Sequence, residues 1–211
     1  MGSKVKLFMD KLNNVSDIEY FDKYMLFLLA PVVSGFKPSS TVTLKKKSKE
    51  YLVWINYKKA FMKKIDLDYI VLREDENAII LLVYSKQSLE KVINSKKVKK
   101  FLVKLGYTIN LNFNISDILD VLVYRYEKIH CPHELGIFLG IPLDDVIDFM
   151  ECKEKKCLIC GYWKVFNDFD NAIEIFNNYN KSKEVVLDCG ILEIQSNKII
   201  DMLKNKIEIA I

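Results

Sequence analysis

Two short runs, Asp68-Tyr-Ile-Val-Leu-Arg73 and Ala78-Ile-Ile-Leu-Leu-Val-Tyr84, constrain this chain more than any other feature. Both are rich in β-branched and aromatic residues, which suit a pleated, half-buried surface. The polar stretch Glu74 to Asn77 separates them. That arrangement predicts a β-hairpin and commits the chain to an antiparallel sheet. Helical periodicity surrounds it. Ser16 followed by Glu19 resembles a capping box, and Ile18, Phe21, Tyr24, Met25, Leu28 and Leu29 follow at helical spacing. Pro31 and Gly35 are expected to break that helix, and Gly35 to Ser40 reads as a loop because Pro38 pushes Lys37 towards an extended conformation.

The same reading predicts two further strands, Thr41–Leu44 and Tyr51–Ile55. Ser85–Leu105 reads as one helix with a lysine-rich outer face, closed by Gly106. Further helices are expected over Ser116–Lys128, Asp168–Tyr179 and Asn197–Ile207, with a short alternating strand between Leu158 and Phe166. Glu134 to Met150 matches a helix-turn-helix, in which Gly136 allows close helix contact and Gly140 makes the turn. Strands with helices on both sides predict an α+β fold. It is a small, mostly antiparallel sheet flanked by helices, with a helix-turn-helix-like pair around residues 133–150. One domain is expected over residues 1–211, with 185–211 as a C-terminal helical extension.

Half of the 211 residues are hydrophobic, enough for a full core. The longest apolar stretch, Tyr24 to Phe36, contains Pro31, Ser34 and Gly35 and falls short of the roughly 20 residues a bilayer span needs. Lys4, Lys6, Asp10 and Lys11 interrupt any signal-peptide core, so a cytoplasmic location is expected. Residues 1–110 carry 21 Lys/Arg against 11 Asp/Glu, and the remainder carries 11 against 17. A basic half favours an anionic partner. However, only Arg73 and Arg125 are arginine, and the abundance of Lys, Asn and Ile is what an AT-rich genome produces. Nucleic acid is therefore not the expected partner. The helix-turn-helix would also offer Asp144, Asp145 and Asp148 to phosphates that need cations.

The reactive side chains are gathered late. Both histidines and all five cysteines lie after residue 129. Cys131-Pro132-His133-Glu134 sits where a helix should begin, and proline suits a first helical position. A thiol there would feel the positive helix end, which favours thiolate. Cys131 is thus a candidate nucleophile or ligand, with His133 or Glu134 as base or second ligand. A capped helix with a buried thiol and a hydrogen-bonded imidazole explains the same residues.

Cys157-Leu158-Ile159-Cys160 has the spacing of a zinc knuckle or a redox pair. Cys131, Cys152, His130 or His133 would have to complete a metal site. In one alternating strand Cys157 and Cys160 face opposite sides, which favours inert cysteines. Gly35 to Ser40 offers Lys37 and hydroxyls to an anion, though a surface turn explains it too. Tyr162 and Trp163 are candidates to line a flat ligand's pocket, and core packing accounts for them equally.

Together, Cys131-Pro-His-Glu134, Gly136-Ile-Phe-Leu-Gly-Ile-Pro-Leu-Asp-Asp-Val146, Cys160-Gly-Tyr-Trp-Lys-Val-Phe166 and Lys37-Pro38-Ser39 resemble the clostridial family known as domain of unknown function 3793. The resemblance spans about residues 20–180. It implies a cytoplasmic protein of anaerobic Firmicutes, in the neighbourhood of flavodoxin and ferrous-iron uptake, and transfers no established activity. Members read Gly-Tyr-Pro where this chain has Gly140-Ile141-Pro142, and Cys152 and Cys157 fall outside the pattern.

The leading expectation is a ligand- or metal-binding accessory protein of iron or redox metabolism. Lys37, Ser39, Tyr162 and Trp163 would bind the ligand, Cys131, His133 and Cys160 would be the metal candidates, and iron, haem or zinc the cofactor. Glu134 would orient or balance charge. The alternatives are an enzyme with Cys131 as nucleophile and His133 or His130 as base, or an interaction module that docks an acidic protein such as a flavodoxin on the basic half.

Overall fold

The computed structural model describes residues 2–110, 113–151 and 154–206. Cys152, and Ile207 as the expected end of the last helix, lie outside the described residues. The chain opens with α1 (Gly2–Leu12) and α2 (Asp17–Val33), followed by β1 (Ser39–Lys45) and α3 (Lys49–Ile65). The hairpin β2 (Asp68–Glu74) and β3 (Ala78–Tyr84) leads to α4 (Lys86–Ile93), α5 (Lys96–Lys104) and α6 (Ile115–Ile129). Then come α7 (Leu135–Phe138), α8 (Leu143–Glu151), β4 (Ile159–Cys160), β5 (Lys164–Val165), α9 (Phe169–Ile191) and α10 (Ser196–Asn205). The fold is α+β, as the sequence predicts.

The main sheet has the order β1-β3-β2, antiparallel throughout, with Tyr84 opposite both Ser39 and Asp68. A bulge between Val71 and Arg73 shifts the β2 register. β3 is paired on both edges and packed by helices on both faces, which explains its unbroken apolar run. Alternate side chains of a strand point to opposite faces. Ile79, Leu81 and Val83 therefore join Val42, Leu44, Phe21, Met25, Trp54 and Phe61 in one core, under α1, α2, α3, α9 and α10. Leu82 and Tyr84 join Leu72, Leu102, Leu122 and Phe138 in a second core, under α4 to α8. A smaller cluster, including Trp163, Val165 and Phe176, packs the β4–β5 hairpin on α9.

Three local expectations are corrected. Tyr51–Ile55 is not a strand but the start of α3. Ser48 Oγ accepts from Tyr51 N, and Trp54, Phe61, Met62 and Ile65 are buried along one face of the 17-residue helix. A helical period sustained over that length overrides five residues of β-like alternation. Ser85–Leu105 is two helices, because Asn94 N–H and Ser95 N–H turn back onto Glu90 O and Val92 O and close α4. Pro31 does not break α2. It sits in the last turn, and its carbonyl accepts from both Phe36 N and Lys37 N. Among the described residues, no helix is long and apolar enough to cross a membrane.

Candidate functional site

The region from His130 to Lys164 is built around the short α7–α8 pair. Gly136 makes this pair possible: a Cβ there would meet Val146 Cγ2 at 3.0 Å and Ile141 Cδ1 at 3.4 Å. Gly140 turns the chain with φ +83°, and a Cβ there would strike Pro38 Cδ at 2.6 Å. Both glycines thus do what the helix-turn-helix pattern required. Ser39, wholly buried, donates its Oγ hydrogen to Phe138 O at 2.7 Å and ties the edge strand β1 to the end of α7.

The β4–β5 hairpin closes against α8 through one carboxylate. Asp145, 3% exposed, accepts from Trp163 Nε1 at 2.8 Å, Phe166 N at 2.9 Å, Asn167 N at 3.0 Å and Asn167 Nδ2 at 2.9 Å. The sequence pattern put Asp145 on an outward acidic face. Instead it points inward and satisfies four donors.

Between α7, α8 and this hairpin lies a cleft of about 270 Å³. Cys131 and His133 are at its rim, Leu139, Ile141 and Val146 form an apolar floor, and Phe149, Tyr162, Trp163 and Lys164 complete the wall. The His133 imidazole stands edge-on to Phe149, with ring centroids 5.2 Å apart. Lys164 Nζ lies 5.8 Å from the centroid of that same ring. The Trp163 ring is held by Asp145 on one side and by an edge contact with Phe176 at 4.5 Å on another. Burial pushes the Tyr162 phenol above its usual pKa, and its hydroxyl donates to Asn180 Oδ1 at 2.9 Å.

Of the sequence-derived candidates, the fold brings Cys131, His133, Tyr162 and Trp163 to this cleft. The others lie elsewhere. Glu134 is 2% exposed and is not among the residues lining this cleft; it accepts from Arg125 Nε and, at 3.2 Å, from the Tyr107 hydroxyl. Arg125 also donates to Leu105 O at 3.1 Å, and its hydrogen bond to Glu134 raises the guanidinium pKa further. Glu134 is thus committed to an ion pair that joins α6 to the approach to α7. Ser39 is sealed in packing. His130 is the left-handed cap of α6 (φ 66°). Helix α7 is a single turn and begins four residues after Cys131, so the strong helix-end field expected at that thiol is not built.

Lys37 is outside the cleft as well. Its ammonium donates to Ser40 Oγ at 3.2 Å and lies 5.8 Å from the Tyr179 ring centroid. Tyr179 in turn meets Tyr162 edge-on at 5.0 Å, so two rings separate Lys37 from the cleft. Burial, aided by repulsion from Lys183, lowers its pKa to about 8.

Cys157 and Cys160 are a pair, contrary to the opposite-face expectation. Residues 158–166 are a hairpin rather than one strand, and the two Sγ atoms stand 3.1 Å apart. Among the described residues, no three His, Cys, Asp or Glu side chains are grouped to hold a metal. Phe149 and Lys164 went unnoticed in the sequence. The available signal for Phe149 was its place four residues after Asp145 and three after Val146, which puts all three on one side of α8.

Fold and cleft define a helix-rich α+β protein whose imidazole, one exposed thiol and clamped indole share a single corner. The chain belongs to the family described as "Protein of unknown function (DUF3793)", whose model matches residues 25–201. That span holds the whole main sheet, the cleft and α9. No curated protein and no solved structure matches the chain.

Proposed function

We propose that this protein binds a small, flat, anionic organic ligand in the cleft between α7, α8 and the β4–β5 hairpin. One observation carries the reading: an apolar cleft whose rim sets His133 and Lys164 against the same ring, Phe149. An apolar floor with a few convergent polar groups is the usual composition of a small-molecule site. The Trp163 indole, fixed by Asp145, offers a rigid aromatic face at little entropic cost. The volume selects the size of ligand. Sites for drug-sized molecules run from about 300 to 1,000 Å³, so this one suits one or two fused rings better than a tetrapyrrole. Iron and zinc gain no support from the grouping of the described residues.

The test uses the dye 8-anilinonaphthalene-1-sulfonate, a flat apolar anion, with emission excited through tryptophan. One saturable site is expected. Val146→Trp, which fills the floor, should abolish it, and Lys164→Ala should weaken it several-fold and leave the remaining binding less sensitive to salt. Dye binding that ignores both substitutions would overturn the reading.

A second reading, cysteine-based catalysis, is favoured by the presence of Cys131 and His133 on the same rim. It requires Cys131 to alkylate faster than free cysteine, and to lose that advantage in His133→Ala.

A further inference from the structure

The β4–β5 hairpin carries a second piece of chemistry, independent of what the cleft holds. Cys157 precedes β4 and Cys160 ends it, in register with Lys164. The backbone is fastened on both sides of the pair. Leu158 N donates to Val165 O at 2.7 Å, and Gly161 N donates to Trp163 O at 3.0 Å. The sulfurs therefore face each other at 3.1 Å without needing a folding rearrangement to meet. Cys160 is exposed and Cys157 half-buried, so a small reagent reaches the pair. A disulfide needs sulfurs about 2.05 Å apart, so closure asks for a movement of roughly 1 Å, within reach of side-chain rotation.

We propose that Cys157 and Cys160 form a thiol–disulfide exchange site, closing into an intramolecular disulfide by reaction with a low-molecular-weight disulfide. One cysteine thiolate attacks a sulfur of the small disulfide, forming a mixed disulfide and expelling one small thiolate. The second cysteine, as thiolate, attacks the protein-side sulfur of that bond. The Cys157–Cys160 bond forms, the mixed bond breaks, and the second small thiolate leaves. The protein dithiol is oxidised by two electrons, the small disulfide is reduced to two thiols, and the two cysteine protons end on the leaving thiolates. Prior placement of the second sulfur is what favours this step, since it turns a bimolecular displacement into an intramolecular one. The hydrogen bond shared with Cys157 holds the Cys160 thiol above its usual pKa, a rise that Lys164, across the ladder, opposes. The shared proton thus leaves one thiolate at a time to attack.

The experiment is exchange of the whole, folded chain with glutathione disulfide, acid quenching, alkylation and tryptic mass mapping. Trypsin cuts after Lys156 and Lys164, so both cysteines travel in one peptide, residues 157–164. That peptide should lose two hydrogens and resist alkylation, then recover both thiols on adding reduced glutathione. Cys157→Ser and Cys160→Ser should each trap a lasting glutathione adduct on the remaining cysteine. Three results would overturn the proposal: a wild-type peptide that stays fully alkylated, adducts that persist in the wild type without closure, or a bridge to Cys131 or Cys152.

Discussion

The indole N–H of Trp163 donates to the buried carboxylate of Asp145 at 2.8 Å, and this bond fixes the aromatic wall of the cleft to α8. The same carboxylate holds the backbone of Phe166 and Asn167, so one side chain secures the whole exit of the hairpin.

Replacing Asp145 with Ala strands those donors. Hydrogen bonds to charged groups contribute about 1.5–3 kcal/mol each, and water reclaims part of that loss. We expect Asp145→Ala to lower stability by about 2–4 kcal/mol in urea denaturation, with Trp163 emission shifting red before the main transition. Asp145→Asn, which keeps one acceptor oxygen, should fall between. A change under about 0.5 kcal/mol would mean that the hairpin is held by apolar packing alone.

Arg125 and Glu134 make the converse case. Removing one member of a buried ion pair leaves the other charge uncompensated and costs about 3–5 kcal/mol, whereas replacing both with apolar residues is often neutral. Arg125 is partly exposed, which puts Arg125→Leu near the lower end of that range. The double variant Arg125→Leu, Glu134→Leu should recover most of the loss, measured as a double-mutant cycle on urea midpoints. A double variant as unstable as Arg125→Leu alone would contradict the ion-pair role.

Lys37 predicts a pH effect of unusual sign. Its amine has a pKa of about 8 in the fold against 10.5 unfolded, so between those values the unfolded chain binds more protons. Stability from this group therefore rises with pH across roughly pH 8 to 10.5 and is lowest below pH 8. Every tenfold loss of proton affinity on folding corresponds to about 1.4 kcal/mol. We expect Lys37→Met to stabilise the protein by about 1–3 kcal/mol at pH 7, with the advantage shrinking by about pH 10. Thermal melts of both proteins at the two pH values check this, and an advantage unchanged by pH would discount the buried charge.

Gly136 tests the helix pair beneath the cleft. In a helix, Gly→Ala gains up to about 1 kcal/mol of propensity, but overpacking costs about 1–3 kcal/mol. Val146 is buried and its Cγ2 would lie 3.0 Å from the new Cβ, so overpacking should win and Gly136→Ala should destabilise. Adding Val146→Ala removes the methyl in the way. The cost of Gly136→Ala, measured by urea denaturation, should then shrink or change sign; strict additivity would argue against contact between the two positions.

The antiparallel hairpin and the α7–α8 turn were legible because each rests on local pattern. The β2–β3 pair shows alternation and a polar turn, and Gly136 and Gly140 mark the two places where a side chain would collide. What escaped depends on distant partners. Nothing near Asp145 in the chain announces that its acceptors will meet donors about twenty residues later, so it read as one more surface acid. The alternation of residues 158–166 concealed a reversal at Gly161 and Tyr162, because strands of only two residues leave no periodic trace. Missing that reversal also hid the meeting of Cys157 and Cys160. Tyr51–Ile55 failed for the opposite reason: the window was too narrow to reveal the longer period of α3.

Strand β3 lends Ile79, Leu81 and Val83 to one apolar cluster and Leu82 and Tyr84 to the other. Pulling it out would uncover both at once, so neither cluster has an independent route to melting. Calorimetry on such a molecule should record a single endotherm, its measured enthalpy matching the van't Hoff value.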